Sequence, residues 1–430
     1  MEAIAIILFI SIFILILYGY QVAFTLGGLS IIYALCFIDP ASFSALPSRI
    51  FGNIMQQYIL LAVPLFIFMG IMLEKSGLAD SLLETMGILL GRLKGGLAVS
   101  VIIVGTLLAA STGIVGATVI TMGLISLPTM LRRGYQPELA TGVIAASGTL
   151  GQIIPPSIVL VLLSSVLNVP AGDLFSAAIV PGILLVMGYI VYVIIIATFR
   201  PELAPSYSAE EIADFKKEDF FKKVIWAFVL PLSLIVLVLG SIFTGKATPT
   251  EAAGIGALGA IILTIFQGQF SLPVLKSVMR ETTHLTSMVF MILLGATTFT
   301  FVFRELGGDQ YLTELITSSN LSPMLFLALV MIVVFIAGFF IDFIEIIFII
   351  VPVVYPIFKE FQIDMLWLGI LLALNLQTSF LTPPFGFSLF YLKGVAPPEV
   401  KTIHLYRGII PFLVIQLLVL LLIILFPNLV

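Results

Sequence analysis

Two interruptions inside apolar, helix-like runs constrain this chain more than any other feature of its sequence. Residues 148–157 read GTLGQIIPPS, and residues 377–387 read QTSFLTPPFGF. A double proline supplies no backbone N–H and ends the helix that precedes it. In hydrocarbon an unpaired backbone group costs several kcal/mol, so a break persists only where neighbouring helices satisfy it or where it lines a cavity. Because the break occurs twice, we favour a binding role over a simple kink.

The two breaks are related by a fixed offset along the chain. A shift of 228 positions brings four prolines onto four others, although the chain holds only 23 prolines. The coinciding pairs are Pro128 with Pro356, Pro155 with Pro383, Pro156 with Pro384, and Pro170 with Pro398. The sequence therefore predicts two structural repeats, each with one discontinuous helix.

Composition assigns the class of protein. The chain is 60% hydrophobic and 10% charged, with a mean hydropathy of +1.24, whereas soluble proteins contain about 25% charged residues. We predict an all-α polytopic membrane protein whose first apolar run is a retained helix and not a cleaved signal. Cys36 is the single cysteine, and His284 and His404 lie far apart. This excludes a disulfide framework and a cysteine–histidine metal cluster, and no basic run suggests nucleic acid.

Two pairs of apolar segments predict re-entrant hairpins. Residues 95–110 and 114–130 are separated only by Ser111-Thr112-Gly113. Each segment extends about 24–26 Å as a helix, against about 30 Å of hydrocarbon, and the turn carries no charge. Two short membrane spans remain the alternative. Residues 323–338 and 344–358 form the second pair, with residues 338–345 at its tip.

The remaining apolar runs predict simple spans, and the whole chain then divides into five regions. An interfacial helix is expected at 44–57, and an amphipathic piece at 272–282 precedes a separate span. The predicted spans are 3–17, 22–37, 59–73, 174–199, 224–242, 251–266, 285–303 and 409–426. The five regions are a scaffold part (1–94), the first hairpin with its broken helix and closing span (95–200), a linker (201–223), a second scaffold part (224–321), and the second hairpin with its broken helix and closing span (322–430).

Charge placement gives the sidedness. Each half crosses the membrane five times if the hairpin counts as no net crossing, so the second repeat is inverted. Of the 19 lysines and arginines, all but four then fall on one side, which the positive-inside rule makes cytoplasmic. The four exceptions are Arg49, Lys246, Arg304 and Lys359. Both termini are expected outside, and inverted repeats with broken helices are typical of secondary transporters.

With these residues in place, the chain resembles the large membrane (M) subunit of tripartite ATP-independent periplasmic (TRAP) transporters. The resemblance rests on ATPTEAAGIGALGA at 247–260, the paired hairpins, QIIPPS and LTPPFGF. It implies an elevator-type carrier in the bacterial inner membrane, driven by Na⁺ without an organic cofactor. It also implies a small membrane (Q) subunit as a separate chain and a periplasmic substrate-binding protein. The substrate would be a carboxylated small molecule, of the C4-dicarboxylate or sialic acid type.

Ser111-Thr112-Gly113 at the first tip is expected to face the first break, and Gly338 with Asp342 at the second tip is expected to face residues 377–382 of the second break. Hydroxyl groups and freed carbonyls at these two places predict about two or more Na⁺ ions, with at least one at each. Small residues that allow close helix packing are the alternative explanation. Asp342 stands out because placing an unpaired acid in the membrane costs at least about 2.5–3.5 kcal/mol of free energy. Glu345, three residues later, either shares the helix face of Asp342 or points toward solvent. The candidate sodium ligands are Ser111, Thr112, Gly113, Ser147, Thr149, Gly151, Gly338, Asp342, Thr378, Ser379 and Thr382.

Candidate substrate contacts follow from the same breaks, because a half-helix N-terminus favours an anionic group. They are Ser111, Gln152, Pro155, Pro156, Pro383, Pro384 and Arg304. For Arg304 we favour a role as an anchor at the membrane interface, with the substrate contact as the alternative. Glu251 is explained most simply as an acid at a helix N-terminus, although its place in the TPTEAA stretch makes it a further candidate.

Two other functions compete with TRAP transport. One is an ion-coupled dicarboxylate carrier that works without a binding protein. The other is an intramembrane enzyme, for which the sequence holds no HExxH or GxSxG motif. The segment GSIFTGK at 240–246 nearly matches a phosphate-binding loop, but Ala247 stands where Ser or Thr would hold Mg²⁺. We therefore predict a transporter and no nucleotide binding.

Overall fold

The computed structural model describes residues 2–207, 223–319 and 321–430, and these residues form helices and no strands. The all-α prediction is confirmed. The described helices are α1 (Glu2–Leu17), α2 (Val22–Phe37), α3 (Ala62–Lys75), α4 (Leu78–Leu89), α5 (Gly96–Thr112), α6 (Val115–Arg132), α7 (Pro137–Thr149), α8 (Ile158–Leu167), α9 (Ala171–Phe199), α10 (Leu230–Phe243), α11 (Pro249–Phe266), α12 (Leu272–Glu305), α13 (Gly308–Ser318), α14 (Pro323–Ala337), α15 (Phe343–Glu360), α16 (Met365–Leu381), α17 (Phe387–Val395) and α18 (Thr402–Leu425). Short helical turns lie at Pro40–Phe43, Leu46–Ile50, Phe51–Met55, Tyr58–Leu61, Leu150–Gln152, Pro201–Leu203, Ile225–Val229 and Pro427–Leu429.

Both predicted interruptions are present. The first broken helix is α7, which ends at Thr149 and continues only as the turn Leu150–Gln152 before α8 begins at Ile158. The second is α16, which ends at Leu381, and α17 begins at Phe387. The double prolines lie inside these gaps, and the Pro155–Pro156 and Pro383–Pro384 peptide bonds are both cis. The chain therefore bends at two positions that the proline pattern identified.

Seven helical segments among the described residues are long and apolar enough to cross a membrane. They are Tyr58–Lys75, Val115–Arg132, Ala171–Phe199, Ile225–Phe243, Pro249–Phe266, Leu272–Glu305 and Thr402–Leu425. The chain is thus a multi-pass membrane protein. Because Val115–Arg132 is one arm of the first predicted hairpin, helix length alone leaves the two-span alternative open there. The inverted relation of the halves stays a prediction.

The predicted separation of residues 272–282 from 285–303 is wrong. One uninterrupted helix, α12, covers 34 residues, which is about 51 Å at 1.5 Å per residue. No proline or glycine follows Pro273 until Gly295, so nothing in the sequence stops the helix between the amphipathic piece and the span. Helix α12 packs along α2 and α3.

Two helices lie in stretches that the sequence analysis did not assign as helical. Helix α4 is amphipathic, and its apolar residues, among them Leu82 and Met86, are buried. Helix α13 follows Gly307, which adopts a left-handed conformation (φ 79°) as Gly77 does (φ 71°) before α4. The polar residues of both stretches hid the helical pattern. Of the linker predicted at 201–223, residues 208–222 lie outside the described residues.

The broken helices form the centre of the molecule. Every residue from Leu139 to Thr149 is buried, and so is every residue from Trp367 to Leu381. Helix α18 crosses α7 so closely that a methyl group on Gly142 would overlap the carbonyl of Gly408. Because a buried helix must satisfy its backbone internally, the ends at the two breaks are the central places where backbone groups are left for other partners.

Candidate functional site

The first tip is shorter than the sequence suggested. Helix α5 includes Ser111 and Thr112, so only Gly113 and Ile114 separate it from α6. Gly113 has a left-handed backbone (φ 62°), which a residue without a Cβ adopts most easily. Ser111 and Thr112 are both buried. Their hydroxyls therefore sit at the C-terminal end of a helix, where carbonyl groups lack intrahelical partners.

The first tip packs against the first break, as predicted. A methyl group on Gly151 would overlap the carbonyl oxygen of Ala109, and one on Gly105 would meet the hydroxyl of Ser147. A methyl group on Gly113 would lie 2.9 Å from Cγ1 of Ile158, the first residue of α8. Hairpin and broken helix thus approach at backbone distance on both sides of the break.

The second tip packs against the second break in the same manner. Residues 338–342 join α14 to α15, and a methyl group on Gly338 would overlap the hydroxyl of Ser379 in α16. Thr378 and Ser379 are buried, and Thr382 at the helix end is half-buried. The predicted facing of Gly338 and Ser379 is therefore confirmed.

Six hydroxyl groups at the two breaks donate hydrogen bonds to the helix backbone, whereas Thr112 Oγ1 pairs with Thr118 Oγ1 at 2.8 Å. Ser111 Oγ donates to the Leu108 carbonyl at 2.8 Å, and Thr378 Oγ1 donates to the Leu374 carbonyl at 2.7 Å. The same pattern holds for Ser147 to Ile144, Thr149 to Ala146, Ser379 to Leu376 and Thr382 to Thr378. A hydroxyl has one proton and two lone pairs, so these oxygens keep lone pairs for a cation. Hard oxygen ligands of this kind suit an alkali ion.

Asp342 and Glu345 form a capping box that the sequence analysis missed. A carboxylate oxygen of Asp342 accepts from the Phe343 N–H at 2.6 Å, and Glu345 Oε2 accepts from the Asp342 N–H at 3.0 Å. The spacing of an acid and a glutamate three residues later was the available signal. Both acids therefore have a structural task at the N-terminus of α15, and each retains a second carboxylate oxygen.

Two cavities lie beside the tips and share one wall. A cavity of about 590 Å³ is lined by Asp342 and Glu345 near the second tip. A cavity of about 1140 Å³ is lined by Ile114 of the first tip. His284 and Ser287 of α12 line both cavities, so the two tips open onto the same face of α12. In the sequence, His284 was notable only for lying far from His404.

Arg304 is not brought together with the tips. It lies at the end of α12 and lines a separate cavity of about 280 Å³, whose other polar lining residues include Asn53, Asn168 and Tyr355. Its Nε is 3.9 Å from a carboxylate oxygen of Asp309. A polar cavity of this size could hold part of a small anion. A substrate role therefore stays a prediction beside the anchor role.

The remaining candidates differ in their surroundings. Gln152, Pro155 and Pro156 are buried, whereas Pro383 is half-buried and Pro384 is exposed, so the two breaks are not equally accessible. Both polar side-chain atoms of Gln152 lack a hydrogen-bond partner among the described residues. Glu251 is exposed and forms a capping box with Thr248, whose N–H it accepts at 2.8 Å. Its predicted place at a helix N-terminus is confirmed.

The described residues contain no group of three or more His, Cys, Asp or Glu side chains that could hold a metal ion. Any ion at the breaks would therefore be held by hydroxyl, amide, carbonyl and single carboxylate oxygens, and such a donor set fits Na⁺ better than a transition metal.

Comparisons with known proteins agree with this architecture. Residues 9–429 match the family model described as tripartite ATP-independent periplasmic transporter, DctM component. The C4-dicarboxylate TRAP transporter large permease protein of Pseudomonas aeruginosa is 33% identical over 402 residues, covering 93% of this chain and 91% of that protein. The sialic acid TRAP transporter large permease protein of Vibrio cholerae is 29% identical, covering 93% and 92%.

A solved structure shares the fold. The Alcanivorax borkumensis YdaH transporter, described as having an unusual topology, superposes with a TM-score of 0.62 at 15% sequence identity, covering 89% of this chain and 86% of that one. At this identity the likeness concerns the fold alone.

Proposed function

Because the chain belongs to the DctM component family of tripartite ATP-independent periplasmic transporters, we propose that it is the permease of a sodium-coupled uptake system for an organic acid in the bacterial inner membrane. The substrate class is a carboxylated small molecule, because relatives are named for C4-dicarboxylates and for sialic acid. Permease names among the relatives favour transport over intramembrane enzymology.

The observation that carries the sodium proposal is the hydroxyl arrangement at the breaks. Hydroxyls that donate to their own helix present lone pairs to whatever lies in the gap, and nearby helix ends add carbonyl oxygens. The first ion would use Ser111, Thr112, Gly113, Ser147, Thr149 and Gly151. The second would use Gly338, Asp342, Thr378, Ser379 and Thr382.

The substrate would bind where the breaks approach the tips. Helices α8 and α17 begin inside the breaks, and their N-termini carry the positive end of the helix dipole. Gln152 offers an amide without a partner among the described residues. An anionic group between the tips would thus meet N–H donors and adjacent bound cations, so ion and substrate binding support each other.

We further propose that the hairpins and broken helices move together against the remaining helices in an elevator motion. The chain would work with a separate small membrane (Q) subunit and a periplasmic substrate-binding protein, with both of its termini in the periplasm. This proposal is supported by α12, a long unbroken helix that packs against α15 of the second hairpin and could form the boundary on the fixed side.

The test is uptake into proteoliposomes that contain this chain, its small membrane subunit and the binding protein encoded with them. Binding of succinate, sialic acid and a small sulfonate to the binding protein selects the labelled probe. We expect uptake only with an inward Na⁺ gradient and with the binding protein present. Uptake without the binding protein would favour the partner-independent dicarboxylate carrier, and uptake that is unchanged when K⁺ replaces Na⁺ would overturn sodium coupling.

A further inference from the structure

Helix α12 carries a basic face beside the tips. Lys276, Arg280 and His284 follow one another at intervals of four residues, so they lie on one side of the helix. All three are exposed and line the cavity of about 1140 Å³. The face extends about 12 Å along the helix, at 1.5 Å per residue.

This basic face begins at the tips and leads away from them. The cavity is also lined by Ile114 of the first tip and by Ala117 in the first turn of α6. His284 also lines the neighbouring cavity that reaches Asp342 at the second tip. Any anion that leaves the space between the tips along α12 passes His284 first, then Arg280 and Lys276.

The two acids that line the same cavity have partners, although the partner of Glu74 leaves its negative charge in place. Glu281 forms an ion pair with Lys75 at 2.9 Å. Glu74 accepts a hydrogen bond from Thr121 Oγ1 at 2.7 Å. Over the described ranges, neither Lys276 nor Arg280 takes part in an ion pair. Two cations without an ion-pair partner therefore line the cavity from α12, and among the described lining residues Glu74 is the acid without a cationic partner.

We propose that Lys276, Arg280 and His284 form an anion-binding wall, a transient docking site for the carboxylate of the substrate between the tips and the aqueous phase on the predicted cytoplasmic side. The proposal rests on the proposed function and deepens it by naming the route of the substrate. Arginine offers a planar fork to a carboxylate and lysine a mobile point charge. The attraction raises the local concentration of an organic anion and speeds its passage.

The electrostatic test needs no transported substrate. Cys36 is the single cysteine, so Cys36→Ser with Ala117→Cys places one thiol in the lining of this cavity. We measure its reaction rates with an anionic and a cationic methanethiosulfonate reagent in the reconstituted protein. The two positive charges should make the anionic-to-cationic rate ratio several-fold higher at low salt than it is without them. Lys276→Gln with Arg280→Gln should remove that preference, and Glu281→Gln should increase it.

The matched control is Arg92→Gln with Lys94→Gln, which removes two exposed charges from the same predicted side but outside the cavity lining. This control should leave the ratio unchanged. An unchanged ratio in the Lys276 and Arg280 double variant would overturn the anion-binding wall. Retained elution volume and melting temperature check that each variant is folded.

A transport measurement separates this proposal from the proposed function. Where wild-type proteoliposomes take up the labelled acid, the Lys276 and Arg280 double variant should reduce the maximal rate at least threefold. An unchanged maximal rate would overturn the proposal that the substrate passes along the anion-binding wall. If the reagent ratio responds as expected but no acid is transported by the wild type, the anion-binding wall stands and the transport proposal fails.

Discussion

Gln377 Nε2 donates a hydrogen bond to Thr149 Oγ1 at 3.5 Å, and these two residues are 228 positions apart. The same offset relates Pro155 to Pro383. In a two-fold arrangement, a residue that touches its own counterpart lies at the axis. The contact joins the two breaks at buried residues, as the predicted repeat relation requires, and it links the ligand sets that we propose for the two ions.

The first prediction concerns this contact. Gln377→Leu should reduce Na⁺-driven uptake at least tenfold while the melting temperature changes little, because Gln377 Oε1 has no partner among the described residues and its removal costs about 1 kcal/mol or less. Uptake and thermal unfolding of the purified variant are measured together. The matched control is Gln416→Leu, another buried glutamine, which belongs to α18 and to neither break. Equal uptake by Gln377→Leu and Gln416→Leu would show that Gln377 has no specific role in Na⁺-driven uptake.

The second prediction separates the two roles of Asp342. Asparagine is as good a helix N-cap as aspartate but carries no charge. Asp342→Asn should therefore keep the melting temperature and raise the Na⁺ concentration for half-maximal uptake several-fold, whereas Asp342→Ala should also lose about 1 kcal/mol of stability. Glu251→Gln is the control, since Glu251 belongs to a capping box at the exposed start of α11. A normal Na⁺ dependence in Asp342→Asn would leave this acid with a structural role only.

The third prediction tests the contact between the first tip and the first break. Gly151→Ala places a methyl group against the rigid backbone carbonyl of Ala109, so we expect a loss of about 1–3 kcal/mol from overpacking and a strong reduction in uptake. Gly254→Ala in α11 meets nothing within 4 Å and should be neutral or slightly stabilising. Thermal unfolding and uptake of both variants check this difference. Wild-type behaviour of Gly151→Ala would mean that tip and break are less tightly packed than described.

The fourth prediction decides between the two interpretations of Arg304. If the polar cavity at Arg304 receives the substrate, Arg304→Gln should raise the substrate concentration for half-maximal uptake at least tenfold, since the carboxylate loses a charged partner. For Arg304→Lys, the substrate concentration for half-maximal uptake should lie between the values of Arg304→Gln and the wild type, because lysine keeps a point charge. Lys246→Gln, on the same predicted side, is the control. A lower melting temperature with unchanged substrate dependence would instead support the anchor role.

The sequence revealed the breaks because prolines report backbone requirements directly. Pro155 and Pro383 restrict their own backbone whatever packs against them, so the breaks can be predicted without knowing the tertiary contacts. The repeat offset followed from the positions of these prolines. The packing of Gly338 on Ser379 could be anticipated only through the repeat, because it joins segments distant in the chain. The capping box formed by Asp342 and Glu345 could have been predicted from their spacing of three residues. It was missed because Asp342 was considered only as a charged side chain in the membrane.

Other features could not be predicted because they depend on three-dimensional arrangement. His284 looked isolated in the sequence, and only the packing of α12 beside both tips places it between two cavities. The hydrogen bond from Thr121 to Glu74 joins helices of different predicted regions, and no local pattern marks it. Helix α12 itself was divided because the change from polar to apolar residues was read as a boundary, although backbone continuity depends on helix breakers and not on polarity.

Helix α12 is longer than a helix needs to be to cross the hydrocarbon of a bilayer. A helix of 34 residues tilted by about 20° uses roughly 21 residues to traverse about 30 Å of hydrocarbon, and about 13 residues project beyond it. The projecting part is the polar N-terminal third, which therefore lies at the level of lipid phosphates. Anionic phospholipids at that level would compete with the proposed substrate for the same basic side chains. We therefore expect the uptake rate of the proposed carrier to fall as the fraction of anionic phospholipid in the membrane rises.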